Sequence, residues 1–293
     1  MRRDLKGYFG AEPAPCWPEG AQLAVSFVVN VEEGAELSIA DGDERNERRF
    51  EAVEEVRGAP DPCMESHFGY GSRQGYVRMS RAFAAHDVYA TFSTCGRAAE
   101  RMPWLIRDVA ERGHEIACHG WRWETHAGMD EVTEREAIAP TNDTLAGLAG
   151  KPPVGWHTRS ATAPHTRRLM IQHGGFRYDS NAYDDNTPDM EGGHVALPYA
   201  FDTNDMRFSP GRGFVQANDF SDYVIAAFER IYAEGAGAAR ILSIGLHLRI
   251  IGRLARIAGL ENVLEHICGQ PGVWIVPRRE IAEVWSAAWE GVS

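Results

Sequence analysis

The sequence predicts an α/β protein assembled from parallel βα units, and three observations lead there. Short apolar runs alternate with helical stretches about seven times along the chain, the signature of a barrel or a doubly wound sheet. The first run, QLAVSFVVNV at 22–31, is continuously apolar and β-branched, as a strand covered on both faces requires. Ionisable residues also recur at or just after run ends: Glu32 and Glu33, His119, Arg159, Asp179 and His247. In a parallel α/β barrel such positions converge on the C-terminal mouth, where active sites form.

The elements follow in order. After strand 22–31 comes a polar, aperiodic excursion from about 41 to 62. Residues 72–87 show helical spacing, with Tyr76, Val77, Met79, Ala82 and Phe83 as the apolar residues. Strand 88–93 precedes a helix over 98–112 that Gly113 should stop. Strand 114–118 leads to a long helix over 130–149, with a break expected near Pro140. Strand 154–157, helix 164–173 and strands at 176–179 and 194–198 come next. An amphipathic helix at 219–234, strand 241–246, helix 252–268, strand 273–276 and helix 279–289 complete the series. No linker or repeat divides the chain, so residues 1–293 read as one domain with an N-terminal extension of about 20 residues.

Composition narrows the function. A formal charge of -12 argues against nucleic acid and anionic membranes as partners. No window approaches the roughly 18 apolar residues of a membrane span. The basic residues Arg2 and Arg3 have no apolar stretch behind them, so no signal peptide is expected. Five cysteines without a Cys-x-x-Cys pair suit a reducing compartment, with Cys95 and Cys118 as buried thiols. A cytoplasmic protein is expected. Gly-x-Gly-x-x-Gly, the phosphate-binding loop, Gly-x-Ser-x-Gly and His-Glu-x-x-His are all absent, which removes support for nucleotide cofactors, serine hydrolysis and zincin chemistry.

The candidate site residues follow from their places. Glu32 and Glu33 end a buried strand and offer a general base with an orienting group or ligand. Asn30 shares a face with Glu32 in extended chain. His119, beside Gly120, Trp121 and Trp123, reads as the wall of a small-ligand pocket. His247, at a strand end and with an unperturbed pKa of about 6.5, is a candidate general acid. His67 and Tyr70 lie in a Gly/Ser-containing stretch before the helix at 72, which could equally be a capped helix entry. Arg159 and Arg207 can each bind a substrate oxygen or orient a carboxylate, and Asn204 lies in the polar loop with Arg207.

Together these segments resemble the polysaccharide deacetylase (NodB-like) superfamily. Glu32-Glu33-Gly34 stands at its Asp-Asp-Gly motif and His119-Gly120-Trp121-Arg122-Trp123 at its His-Ser-x-x-His motif. Thr158-Arg159-Ser160 falls at the motif whose arginine supports the base, and Gly245-Leu246-His247 at the motif carrying the acid. The resemblance implies a distorted (β/α)7 barrel. Tyr70-Gly-Ser-Arg73, Tyr178-Asp-Ser180, 202–208 and 243–253 are further shared with the branch of cofactor-independent allantoinases and cyclic imidases, which implies a homotetramer.

The departures refine this. The family's Asp ligand is Glu here and its second His is Trp123, so the metal-binding triad is incomplete. No cofactor is called for outright; a divalent metal such as zinc could be held by Glu33, or its neighbour Glu32, with His119 and His67. Where allantoinases have Gly-Trp-Tyr-Thr-Gly-Arg-Thr, this chain has Gly155-Trp156-His157-Thr158-Arg159-Ser160-Ala161. Phe68 and Leu248 replace more polar residues, which favours a plain cyclic imide over allantoin. The expected reaction is hydrolysis of a ring C–N bond by Glu32 or Glu33, His119, Arg159 and His247. Substrate contacts are expected from His67, Tyr70, Trp121, Trp123, Asn204 and Arg207. The alternatives are allantoinase and a metal-dependent deacetylase of a small N-acetyl compound.

Overall fold

A computed structural model describes residues 5–8, 11–48, 54–209 and 211–290; parts of the predicted extension (1–4, 9–10) and excursion (49–53) lie outside them. The central element is β1 (Leu23–Val31), every residue of which is buried. It pairs in parallel with β8 (Ile241–His247) from Ala24 to Asn30, with β2 (Thr91–Thr94) along its C-terminal half, and with β9 (Val273–Ile275) at its start. Burial on both faces is why its sequence carries no polar alternation. From β2 the sheet continues in parallel through β3 (Glu115–Cys118), β4 (Gly155–Trp156), β5 (Tyr178–Ala182) and β7 (His194–Pro198). The short β6 (Asp189–Glu191) is antiparallel to β7 at the edge.

The sheet, ordered β6-β7-β5-β4-β3-β2-β1-β8, curls until β7 and β8 approach. Side chains and one bridge close that gap instead of a ladder: Ser243 Oγ donates to Pro198 O (2.8 Å), Thr203 Oγ to Ser243 O (2.6 Å), and Asn204 bridges Gly245. The result is the expected distorted barrel. Its helices are α1 (Pro62–Tyr70), α2 (Tyr76–Ala85), α3 (Gly96–Arg101), α4 (Pro103–Glu111), α5 (Glu131–Ala149), α6 (Thr166–His173), α7 (Ala217–Glu234), α8 (Ile257–Cys268) and α9 (Arg278–Glu290). Among the described residues no helix is long and apolar enough to cross a membrane.

Several expected elements change for local reasons. The helix expected from Ser72 starts at Pro62, where the Asp61 side chain accepts the Met64 N–H. It runs into α2 through a π turn at Gly71–Gly75. A Cβ at Gly71 would collide with the Glu33 carboxylate, and one at Gly75 with the Leu248 carbonyl. Both glycines therefore let this helix press against the site. The helix expected over 98–112 breaks at Met102, because Pro103 opens a new helix. The break expected at Pro140 does not occur: α5, capped by Asp130, continues to Gly150. The three-residue β6 carries too little periodicity to be read from sequence.

A second core cluster buries Trp17 and Trp285, their ring centroids 6.1 Å apart, with Ile281 and Leu197. Cys95 and Cys118 are buried thiols, as expected, and all five cysteines are free.

Candidate active site

The site begins with the alternation of side chains at the end of β1. Asn30 and Glu32 face the barrel interior, and Glu33 faces away. Glu32 is almost fully buried and carries three contacts. Its Oε2 accepts from Arg249 Nη1 (2.6 Å), while Oε1 lies 3.3 Å from His247 Nε2 and 3.6 Å from His119 Nε2. Strand register makes this meeting inevitable, since Asn30 pairs with His247 across β1 and β8. Burial alone would raise the Glu32 pKa, but Arg249, His247 and His119 overcome it and hold the carboxyl well below its usual range.

His247 is held from its other side. Its Nδ1 is 2.6 Å from Asp205 Oδ1, and the Asp205 Oδ2 accepts the backbone N–H groups of His247 (2.8 Å) and Ile251 (3.1 Å). Burial disfavours the imidazolium, yet the Glu32 and Asp205 carboxylates outweigh it and raise the pKa to about 10. At neutral pH His247 is therefore a cation with a proton to give. His119, after β3, places Nδ1 2.7 Å from the His157 carbonyl. When the neutral ring donates there, Nε2 is left as an acceptor beside Glu32.

These groups border a small cavity of about 50 Å³. Its wall is largely polar and aromatic, including Asn30, His157, Tyr183, Tyr199 and Asn204. His157 is buried with Nδ1 unpartnered, and burial, with His119 nearby, drives its pKa well down. Ser160 takes a left-handed conformation (φ 53°) at the rim. The excursion is tied over this end by bidentate pairs from Arg122 to Asp43 (both 2.6 Å) and from Arg159 to Glu47 (2.9 and 3.0 Å).

The structure brings Glu32, His119, Trp123, Arg159, Asn204 and His247 to this cavity. Other expected site residues lie elsewhere. Glu33 Oε2 accepts the Glu32 backbone N–H (3.1 Å), and its carboxylate lies against Gly71, bordering a different surface recess. His67 Nδ1 meets Arg253 (2.8 Å), and Tyr70 lies under the same guanidinium (3.7 Å) and accepts from Arg78. Trp121 packs on Gly96. Arg207 is stacked against Phe214 and Tyr223, in an outer recess that shares Ser160, Phe201 and Met206 with the cavity. Asp179 is consumed by Arg167 and His194.

Two further expectations need correction. The arginine that holds the Glu32 carboxylate is Arg249; Arg159 is committed to Glu47 and to the Trp123 carbonyl, with its guanidinium 3.5 Å over the Trp123 ring. Phe68 and Leu248, the basis for preferring a plain imide, do not line the cavity. Phe68 packs on Trp123 and under Arg249, and Leu248 is fully buried. Sequence reading missed Asp205, Arg249, His157, Tyr183 and Tyr199. Asp205 and Arg249 lay within quoted motifs, but only the fold pairs them with His247 and Glu32.

The donors do not fit the metal that the family resemblance implies. Trp123 fills the second histidine position, Glu33 turns away from His119, Glu32 is engaged by Arg249 and His247, and His67 faces Arg253. Among the described residues no three His, Cys, Asp or Glu side chains are grouped to hold an ion.

A barrel with a carboxylate, two histidines and a supporting carboxylate at its mouth defines a hydrolase of the polysaccharide deacetylase type. Residues 57–178 match the polysaccharide deacetylase family. A Schizosaccharomyces pombe protein named as a polysaccharide deacetylase is 34% identical, the match spanning 97% of each chain. The chain belongs to this family. Among solved structures, the PuuE allantoinase is 42% identical and a polysaccharide-deacetylase-type protein of Pseudomonas aeruginosa 41%. Each match has a TM-score of 0.93 and covers 98% of both chains.

Proposed function

We propose that this protein hydrolyses a ring C–N amide bond in a small cyclic ureide of the allantoin kind. The observation that carries the reading is the small cavity, walled by Asn30, His157 and Asn204 among aromatic side chains, in which Glu32 and His247 oppose each other with opposite charges. A ureide ring offers several N–H and C=O groups to such a wall, whereas a plain imide offers few. The likeness to the PuuE allantoinase over 98% of the chain supports the same choice.

The chemistry follows from the geometry. In the tautomer in which His119 Nδ1 donates to the His157 carbonyl, Nε2 and Glu32 Oε1 are both acceptors, so a water bridging them can donate one hydrogen to each. Glu32, fixed by Arg249, takes a proton as the water oxygen bonds to the ring carbonyl carbon. The carbon–nitrogen bond then breaks, and the nitrogen takes the proton of the His247 imidazolium. Asp205 keeps the imidazole aligned and supports its charge, much as a buried carboxylate supports histidine in hydrolase triads. The proton gained by Glu32 returns to His247, 3.3 Å away, to complete the turnover.

The test is a ring-opening assay with allantoin, hydantoin, succinimide and an N-acetyl sugar, before and after chelation. Allantoin should turn over fastest, with no loss on chelation. Turnover of succinimide alone would restore the imide reading, and deacetylation alone would overturn ring opening.

A further inference from the structure

Tyr199, just after β7, has a hydroxyl whose hydrogen bonds are unusually well determined. Asn30 Nδ2 and Asn204 Nδ2 each lie 3.2 Å from its oxygen. Neither amide can be turned over. Asn30 Nδ2 also donates to the Leu246 carbonyl (3.2 Å), and Asn204 Oδ1 accepts the Met206 N–H (2.9 Å). The phenol oxygen therefore accepts twice and has used both lone pairs. Its hydrogen has no acceptor among the described residues, and burial keeps the phenol neutral by pushing its pKa up. Asn30 presents the complement. Both its amide hydrogens are engaged, while its buried Oδ1 has no partner. All three residues line the cavity that holds Glu32 and His247.

An unused donor and an unused acceptor thus stand side by side, on two hydrogen-bonded neighbours. A cis amide shows its C=O and N–H along one edge and can meet both at once. A trans amide points them in opposite directions. Only a ring of small size forces an amide to be cis, since open secondary amides prefer trans by about 2.5 kcal/mol or more.

We propose that Tyr199 and Asn30 together read the cis-amide edge of the scissile ring bond, Tyr199 donating to the attacked carbonyl oxygen and Asn30 Oδ1 accepting the ring N–H. This rests on the ring-opening reading and deepens it. Tyr199 stabilises the oxyanion as charge develops, and Asn204 and Asn30 aim it. The same pair discriminates rings from N-acetyl compounds.

The experiment uses whichever ring substrate the unmodified enzyme opens. Tyr199→Phe should lower kcat about 10²–10³-fold, as loss of one oxyanion donor does. KM should change only a few-fold. Asn204→Asp is the second variant, because it keeps the cap on Met206 while turning the group facing Tyr199 into an acceptor that captures the phenol hydrogen. Its kcat should fall similarly with Tyr199 still in place. Methylating the ring nitrogen should cost the unmodified enzyme most of its kcat/KM. Folded Tyr199→Phe with kcat within threefold of the parent, or a loss confined to KM, overturns the proposal while leaving ring opening intact. An unmodified enzyme that opens no ring removes the reading beneath both.

Discussion

Glu33→Gln separates the two adjacent carboxylates by their thermodynamics. Burial pushes the Glu33 carboxyl from 4.5 to about 7, an effect that Arg249 only partly offsets and the Glu32 charge increases. In the unfolded chain it ionises near 4.5. Between those values the folded state binds more protons than the unfolded state, so stability falls as pH rises and levels off above about 7. A carboxyl moved this far carries roughly 3 kcal/mol. Most of it, on the order of 2.5 kcal/mol, is lost between about pH 5 and pH 9. Glutamine does not titrate, so the variant gains on the parent by that amount across the interval, whatever fixed cost its amide brings. Urea unfolding of both proteins at the two pH values measures the double difference directly. Equal pH dependence in parent and variant would mean that Glu33 is not buried and protonated here. A kcat reduced as far as in Glu32→Gln would mean that Glu33 also does chemistry.

The remaining predictions concern the cavity. Glu32→Gln should lower kcat about 10²–10⁴-fold, the usual worth of a general base, with circular dichroism checking the fold. Asp205→Asn removes a charge that raises the His247 pKa, so the basic limb of the kcat/KM profile, expected near 10, should move down by roughly 1–3 pH units. An unmoved limb would show that His247 is not the acid. Arg249→Met removes the foremost of the groups holding Glu32 ionised; burial then dominates, and the acid limb should rise by roughly 1–3 pH units, with activity recovering at higher pH.

Much of the fold was legible because β1 and β8 are buried on both faces, and burial of that kind leaves unbroken apolar runs. The ends of those runs exposed Glu32, His119 and His247 as candidates, since polar residues at strand ends of a parallel barrel face one mouth. What the linear pattern could not supply was direction and partnership. Glu32 and Glu33 are adjacent and chemically alike, but the pleat sends one to the cavity and the other under Gly71. Arg159 looked fit to hold a carboxylate and Arg249 was passed over, and only the packing gives Arg159 to Glu47 and Arg249 to Glu32. Tyr199, Asp205 and Asn30 are 169 and 175 positions apart at their widest, without a shared periodicity; closure of β7 against β8 brings them to one cavity wall or its support. Local sequence sets which face of an element is apolar, whereas long-range register decides which polar groups end up close enough to share a proton.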